Sequence, residues 1–233
     1  MINTDDCVYV IIPNKNGLEH LQYSLTSLAE SKYQNYKVVL VDSNSTDDSV
    51  SFVKEKYENI VILNNQGKKG FAGGVNTGIK HAIENQADYI AIFNSDIKVL
   101  YNWIELSLFV FHKNPKIGIV GFTEVLKENE NQFYLTQITS DSIYVQYVNS
   151  VAGCLFIMNS NLINEIGYLD EDFYMYGEDN DWFYRVGKST FSIVETNIPV
   201  WHYGEGSAKN NKFLPTWYSY RNALRFSIKN ENI

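Results

Sequence analysis

Short apolar segments alternate with segments of helical periodicity through the first hundred residues of the chain. The apolar segments, each typical of a strand buried on both faces, are 7–12, 36–41, 59–63 and 89–93. The helical spacing after the first of them is set by Leu18, Leu21, Leu25 and Leu28. This alternation predicts an α/β fold with a doubly wound, mostly parallel sheet and right-handed crossovers.

The fourth strand runs directly into the polar triplet Asn94, Ser95 and Asp96. A doubly wound sheet opens its ligand crevice at the carboxyl ends of its strands, so this triplet is expected beside a ligand. Asp96 is the first candidate functional residue for that reason. The alternative is a structural turn after the strand, in which Asp96 is a capping carboxylate.

The charge balance limits the classes of partner. The 233 residues include 27 Asp and Glu against 19 Lys and Arg, a formal net charge of -8, which disfavours nucleic acid. The two cysteines, Cys7 and Cys154, imply neither a disulfide framework nor a zinc site and favour a reducing compartment. No signal-peptide pattern and no run of about 18 apolar residues occurs, so we expect no spanning helix.

Four glycines surround the start of the third helix. Free backbone N–H groups and the helix dipole favour an anion at such a position, and Lys68 and Lys69 add positive charge. The spacing matches neither a P-loop nor a dinucleotide fingerprint, so close packing of the helix on the sheet is an equal alternative. The glycines are Gly70, Gly73, Gly74 and Gly78.

Two further groups of residues carry candidate chemistry. Asp96 and His202 could hold one divalent metal if substrate oxygens and water complete its shell, whereas a packed histidine beside Trp201 is the alternative. An acidic helix start follows an aromatic segment and contains Glu178, Asp179 and Asp181. Apolar surroundings can tune such carboxylates towards general-base work, although solvated carboxylates favoured by the helix dipole are the simpler reading.

The second half of the chain is less regular. We expect a helix at 103–112, a strand at 117–120, an irregular or antiparallel excursion over 122–150, a strand at 151–158 and a helix at 178–185. An amphipathic helix from Pro215 packs on the core or meets a membrane surface or partner subunit. Its relevant side chains are Trp217, Tyr218, Arg221, Leu224, Arg225 and Phe226.

Six motifs in this order resemble those of the family 2 inverting glycosyltransferases, which have the GT-A nucleotide-sugar-binding fold. The similarity is greatest to the rhamnosyltransferase-like branch of bacterial surface-polysaccharide enzymes. It covers nearly the whole chain, and its motifs are Val10-Ile-Ile-Pro-Asn-Lys-Asn-Gly17, Val41-Asp-Ser-Asn-Ser-Thr-Asp-Asp-Ser49, Gly70-Phe-Ala-Gly-Gly-Val-Asn-Thr-Gly78, Asn94-Ser-Asp96, Tyr168-Leu-Asp-Glu-Asp-Phe-Tyr-Met-Tyr-Gly-Glu-Asp-Asn-Asp181 and Trp201-His-Tyr-Gly204.

The resemblance implies a single GT-A domain over residues 1–233. Residues 1–100 would form the nucleotide-sugar-binding half, and residues 101–233 the acceptor-binding and catalytic half. The implied activity is metal-dependent, inverting transfer of a hexose from a UDP- or dTDP-sugar to a hydroxyl of a glycan or lipid-linked acceptor. Such enzymes build bacterial surface polysaccharides such as O-antigen or capsule, in the cytoplasm or peripherally at the cytoplasmic face of the inner membrane.

The resemblance also implies roles for individual residues. Asp96 and His202 would hold Mg2+ or Mn2+ on the donor diphosphate, Asp179 would be the general base, and Glu178 would position the acceptor or a loop. Asp42 would accept a hydrogen bond from a pyrimidine base. The other substrate-binding residues would be Pro13, Asn14 and Asn44 at the nucleoside, Lys69, Gly70, Gly73 and Asn76 along the donor, Asn94 and Ser95 near its ribose or diphosphate, and Trp201.

The chain departs from the family pattern in two places. Asn94 stands where many relatives have an acidic residue, which makes His202 more important for the metal. The sequence also ends soon after segment 217–225, which relatives usually continue, so further modules of a longer protein are an alternative partner. The competing functions are a sugar nucleotidyltransferase and a non-catalytic binding module. A nucleotidyltransferase would require a glycine-rich loop directly after the first strand, but this chain has Pro13-Asn-Lys-Asn16 there.

Overall fold

The structure is a computed structural model that describes residues 5–65, 70–204 and 213–230. Lys69 and Lys68, predicted beside a bound anion, lie outside the described residues. The strands are β1 Val8–Asn14, β2 Tyr36–Asp42, β3 Val61–Asn64, β4 Tyr89–Phe93, β5 Ile97–Val99, β6 Ile117–Leu126, β7 Val145–Val148, β8 Leu155–Asn159 and β9 Ser192–His202. The helices are α1 Leu18–Ala29, α2 Ser49–Lys56, α3 Gly70–Glu84, α4 Trp103–Lys113, α5 Glu130–Leu135, α6 Leu162–Ile166, α7 Glu178–Val186 and α8 Phe213–Asn230.

All described strands belong to one mixed sheet with the order β3-β2-β1-β4-β8-β6-β9-β5, and β7 pairs with β9. The first four strands are parallel, as their alternation with helices predicts. Strand β8 lies antiparallel between β4 and β6, while β6 and β9 are parallel. The predicted α/β fold is confirmed, and the antiparallel strands lie in the second half.

Helices cover both faces of the sheet, which explains the uninterrupted apolar runs of the central strands. In β4, Ala91 and Phe93 face the core formed with α1 and α4, whereas Ile90 and Ile92 face the core formed with α3 and α7. All five residues of β4 are buried. Within the described part of the chain, no helix is both long and apolar enough to cross a membrane.

One local expectation about the first half is corrected, and one of two alternatives for the glycines is supported. Strand β1 continues through Pro13 to Asn14, because pairing with β4 ends at Ile11 and the missing N–H of Pro13 interrupts no ladder on that side. The four glycines at 70, 73, 74 and 78 all lie within α3, which begins at Gly70. A Cβ on Gly78 would lie 2.2 Å from Ile11 Cγ2, so that glycine serves close helix–sheet packing.

The excursion after β6 is antiparallel in part, as predicted. Residues 127–142 contain α5 and short 3-10 turns, and β7 then pairs antiparallel with β9. The polar triplet after β4 leads into β5, a three-residue strand that the sequence did not indicate. Because β5 pairs with the end of β9, Ile97 lies opposite His202. This pairing brings the end of the chain's last strand to the polar triplet.

Candidate active site

A cavity of about 1650 Å³ opens at the carboxyl ends of β1, β2 and β4. Its lining includes residues at and after the ends of these strands, the start of α7 and part of α8. A polar crevice at this edge of the sheet is where the sequence pattern places a ligand. The wall residues used below are Pro13, Asn14, Ser43, Asn44, Gly70, Asn94, Ser95, Asp96, Gly153, Glu178, Asp179 and His202.

The ends of β1 and β2 are joined by a buried hydrogen-bond network. Asn14 Nδ2 donates to Asp42 Oδ1 at 3.0 Å, and the backbone N–H of Ser45 donates to Asp42 Oδ2 at 3.0 Å. Asp42 is 4% exposed and forms no part of the cavity wall built by the described residues. The contact of Asp42 with a pyrimidine stays a prediction. In the structure its carboxylate shapes the loop that presents Ser43 and Asn44 to the cavity.

The start of α3 contributes less to the cavity than the resemblance implied. Gly70 belongs to the wall, and a Cβ there would lie 2.3 Å from the backbone oxygen of Tyr174. Gly73 and Asn76 are buried and take no part in the wall as the described residues define it. Asn76 donates to Leu169 O at 2.9 Å and accepts from Leu169 N at 3.0 Å. This amide fixes the segment leading towards α7, and its contact with a donor stays a prediction.

The polar triplet after β4 lies in the cavity wall. The backbone N–H of Asn94 donates to Cys154 O at 2.9 Å, and Asp96 is 5% exposed. Asp96 Oδ2 lies 3.3 Å from His202 Nε2. Burial acts to raise the pKa of Asp96, but its hydrogen bond to His202 and the charge of that ring hold the pKa below its ordinary value.

His202 lies between two carboxylates. Its Nε2 faces Asp96, and its Nδ1 is paired with Glu124 Oε1 on β6. Burial acts to lower the pKa of His202, and both carboxylates outweigh burial and raise it. Glu124 was missed from the sequence because a lone acidic residue in a polar stretch gives no signal. Trp201, predicted to bind substrate, is outside the cavity wall of the described residues and packs under Lys98, whose Nζ is 4.4 Å from the ring centre.

Asp96 and His202 fit a divalent metal ion. A carboxylate oxygen and an imidazole nitrogen are suitable ligands, and two ligands on adjacent positions of one ion lie about 3 Å apart. The observed 3.3 Å therefore requires little rearrangement. Because both residues border the cavity, a substrate could complete the metal's shell.

The acidic start of α7 also lines the cavity. Glu178 is 5% exposed, and among the described residues its Oε2 has no hydrogen-bond partner. Burial and then the neighbouring Asp179 raise the pKa of Glu178 to about 8. Burial also raises the pKa of Asp179. A Cβ on Gly153 would lie 2.6 Å from Asp179 Oδ2, so this carboxylate rests against the backbone just before β8.

Asp181 faces away from the cavity. It is fully buried, and it accepts from Arg185 Nε at 3.0 Å, Lys229 Nζ at 3.0 Å and Asn230 Nδ2 at 3.0 Å. These bonds clamp α8 to α7. Asn222 of α8, 1% exposed, donates to the backbone oxygens of Phe173, Met175 and Tyr176. The sequence signal for Asn222 would have been an amide on the inward face of an amphipathic helix.

The chain matches the model of the family described as Glycosyl transferase family 2 over residues 9–171. A UDP-Glc:alpha-D-GlcNAc-diphosphoundecaprenol beta-1,3-glucosyltransferase, WfgD of Escherichia coli, is 27% identical over 219 residues, which are 90% of this chain and 82% of that protein. An uncharacterized glycosyltransferase of Haemophilus influenzae is 23% identical over 78% of this chain and 60% of its own.

Solved structures of glycosyltransferases share the fold. Mannosyltransferase PcManGT from Pyrobaculum calidifontis, in complex with GDP-Man and Mn2+, superposes with a TM-score of 0.73 at 16% identity, covering 100% of this chain and 67% of that one. Staphylococcus aureus TarS 1-349 gives a TM-score of 0.65 at 16% identity, covering 85% and 61%. The predicted GT-A fold is thereby confirmed. Since the family match spans well over half of the sequence, the chain belongs to glycosyl transferase family 2.

Proposed function

We propose that this glycosyltransferase transfers a hexose, with inversion, from a UDP- or dTDP-sugar to a hydroxyl of a glycan or lipid-linked saccharide. The observation that carries the proposal is that one cavity is lined both by Asp96 and His202, a pair suited to a metal ion, and by the desolvated carboxylates of Glu178 and Asp179. A donor diphosphate and an acceptor hydroxyl need these two kinds of group on opposite sides of the sugar.

On the donor side, Asp96 and His202 would hold Mg2+ or Mn2+ against the diphosphate. A bound divalent cation would neutralise the negative charge that develops on the leaving group. The backbone and side chains of Asn14, Ser43 and Asn44 would hold the nucleoside, because they line the same cavity at the neighbouring strand ends. The complex of PcManGT with GDP-Man and Mn2+ supports a metal-dependent nucleotide-sugar donor for a protein of this fold.

On the acceptor side, Asp179 is the proposed general base. The acceptor oxygen forms a bond to the anomeric carbon on the face opposite the leaving diphosphate, and its proton passes to the Asp179 carboxylate. Burial and then Asp179 raise the pKa of Glu178 to about 8, and burial also raises the pKa of Asp179, which makes its carboxylate a stronger base. Its position against Gly153 fixes the direction of that carboxylate.

A lipid-linked acceptor at the cytoplasmic membrane surface is part of the proposal. The name of WfgD specifies a diphosphoundecaprenol-linked sugar as its acceptor. Helix α8 packs on the described core through Asn222 and Lys229, yet exposes Trp217, Tyr220, Leu224 and Ile228. Flotation of the full-length protein with liposomes containing anionic lipid tests this placement, and absence of flotation would remove the membrane contact.

The function is tested with a panel of nucleotide-sugars assayed for metal-dependent hydrolysis and for transfer to lipid-linked saccharides. Calorimetry with UDP, dTDP, GDP and CDP in the presence of Mn2+ identifies the base separately. We expect UDP or dTDP to bind most tightly. A clear preference for GDP would overturn the donor assignment, and absence of both hydrolysis and transfer with every donor would overturn the enzymatic one.

A further inference from the structure

Three strands that are neighbours in the sheet bring a glutamate, a cysteine and a histidine together behind the Asp96–His202 pair. Glu124 lies on β6, Cys154 directly precedes β8, and His202 ends β9. One ligand atom from each lies within 4.8 Å of the others. Over the ranges 5–65, 70–204 and 213–230, this is the one group of three such side chains close enough to share a metal ion.

The three side chains form a donor set that differs from that of Asp96 and His202. A thiolate, an imidazole nitrogen and a carboxylate suit borderline or soft cations such as Zn2+, whereas Mg2+ and Mn2+ prefer oxygen. A tetrahedral site with bonds of about 2.0–2.3 Å spaces its ligand atoms about 3–4 Å apart, so movements of about 1 Å close the shell. Glu124 is the exposed member, with 36% of its side chain accessible, and gives an ion a route inwards.

We propose that Glu124, Cys154 and His202 bind a thiophilic divalent cation, with Zn2+ and Cd2+ as the fitting class and water as the fourth ligand. Nδ1 of His202 is the nitrogen that faces Glu124, so it is the ligand atom at this site. Binding displaces the thiol proton of Cys154 and the proton that Nδ1 shares with Glu124, and both pass to solvent.

Occupation of this site opposes metal binding at Asp96. A neutral imidazole has one nitrogen with a free lone pair and one that carries the proton. When Nδ1 holds the thiophilic cation, Nε2 carries the proton and donates it to Asp96, 3.3 Å away. His202 is then lost as a ligand for the donor's metal, so Zn2+ acts as an inhibitor. This second consequence rests on the proposed function, whereas the binding site itself does not.

Cobalt(II) is the probe, because a thiolate bound to Co2+ gives a charge-transfer absorption band that an oxygen-ligated site lacks. We expect the full-length protein to develop this band on titration with Co2+ and to lose it when Zn2+ is added. Cys154→Ser should abolish the band. Cys7→Ser is the matched control, since Cys7 is the other cysteine of the chain and should leave the band unchanged.

Glu124→Gln provides a second variant that retains the buried cysteine. Its affinity for Co2+ should fall about tenfold or more with the band still present at saturation. Circular dichroism establishes that each variant is folded. No band in the wild type at saturating Co2+, or an unchanged band in Cys154→Ser, overturns the site. Separately, the Zn2+ concentration that halves Mn2+-dependent transfer should rise about tenfold in Cys154→Ser; an unchanged value would overturn the antagonism alone.

Discussion

Nε2 of His202 lies 3.3 Å from Oδ2 of Asp96, although the two residues are 106 positions apart in the chain. The short strand β5, which follows Asp96, pairs with the end of β9 and sets Ile97 opposite His202. The pair therefore depends on sheet pairing at the cavity edge. This relationship explains how one carboxylate and one imidazole, each a weak signal in the sequence, become a possible ligand pair for one ion.

Removal of the Asp96 carboxylate should abolish metal-dependent turnover. In Asp96→Asn the shape of the side chain is kept and its charge is lost, so a divalent cation loses an anionic ligand. The transition state should lose several kcal/mol of stabilisation, which is what a Lewis-acid metal ion supplies, so transfer should nearly stop. The measurement is transfer with Mn2+ and with excess EDTA. Equal rates for the variant in EDTA and the wild type in Mn2+ would contradict the metal role.

Substitutions of Asp179 and Glu178, the two carboxylates at the start of α7, should have different effects on transfer. Asp179→Asn keeps the hydrogen bond to the Asn180 N–H while removing basicity, so transfer should fall about 100-fold or more. Mn2+ and nucleotide affinity, measured by calorimetry, should stay near the wild-type values. Glu178→Gln is the matched variant and should retain more activity. A dead Glu178→Gln with a normal Asp179→Asn would reverse the assignment.

The raised pKa of Glu178 predicts how folding stability depends on pH. Its folded pKa is about 8, against 4.5 for an ordinary glutamate, so the folded state holds the proton more tightly. The contribution of Glu178 to the free energy of unfolding is therefore most favourable below pH 4.5, and it declines as the pH rises from 4.5 to 8. In Glu178→Gln this decline is absent. Urea titrations at pH 5 and pH 8 measure the free energy of unfolding of the wild type and of Glu178→Gln. The variant's value minus the wild-type value should rise by about 1–4 kcal/mol from pH 5 to pH 8. An equal difference at both pH values would contradict the raised pKa of Glu178.

Asp181 should contribute more to folding stability than the exposed Asp172. Asp181 is fully buried and accepts hydrogen bonds from Arg185 and Lys229, which are 23% and 34% exposed. Asp181→Ala removes two charge-assisted hydrogen bonds and should cost about 2–4 kcal/mol. Asp172 is 72% exposed in its pair with Arg225, so Asp172→Ala should cost about 1 kcal/mol or less. Thermal and urea unfolding measure both. Equal losses would show that Asp181 does not clamp α8 to α7.

Local sequence determined the elements that depend on near neighbours. The first four strands were predicted because buried parallel strands are continuously apolar and alternate with helices of helical periodicity. The start of α7 at Glu178 and its end beside Gly187 follow from an acidic first turn and a helix-stopping glycine. The position of Asp96 at the end of β4 likewise follows from the pattern, since the apolar run stops there.

Tertiary structure alone decided where polar side chains point. Asp42 and Asn76 lie in motifs that the resemblance connects with substrate. In the structure both side chains form hydrogen bonds with backbone and side-chain groups of the protein. The insertion of β8 between β4 and β6, and the pairing of β9 with both β5 and β6, place Cys154, Glu124 and Asp96 around His202. These contacts join residues far apart in the chain, and strand order is set by packing over the whole sheet, which local periodicity does not encode.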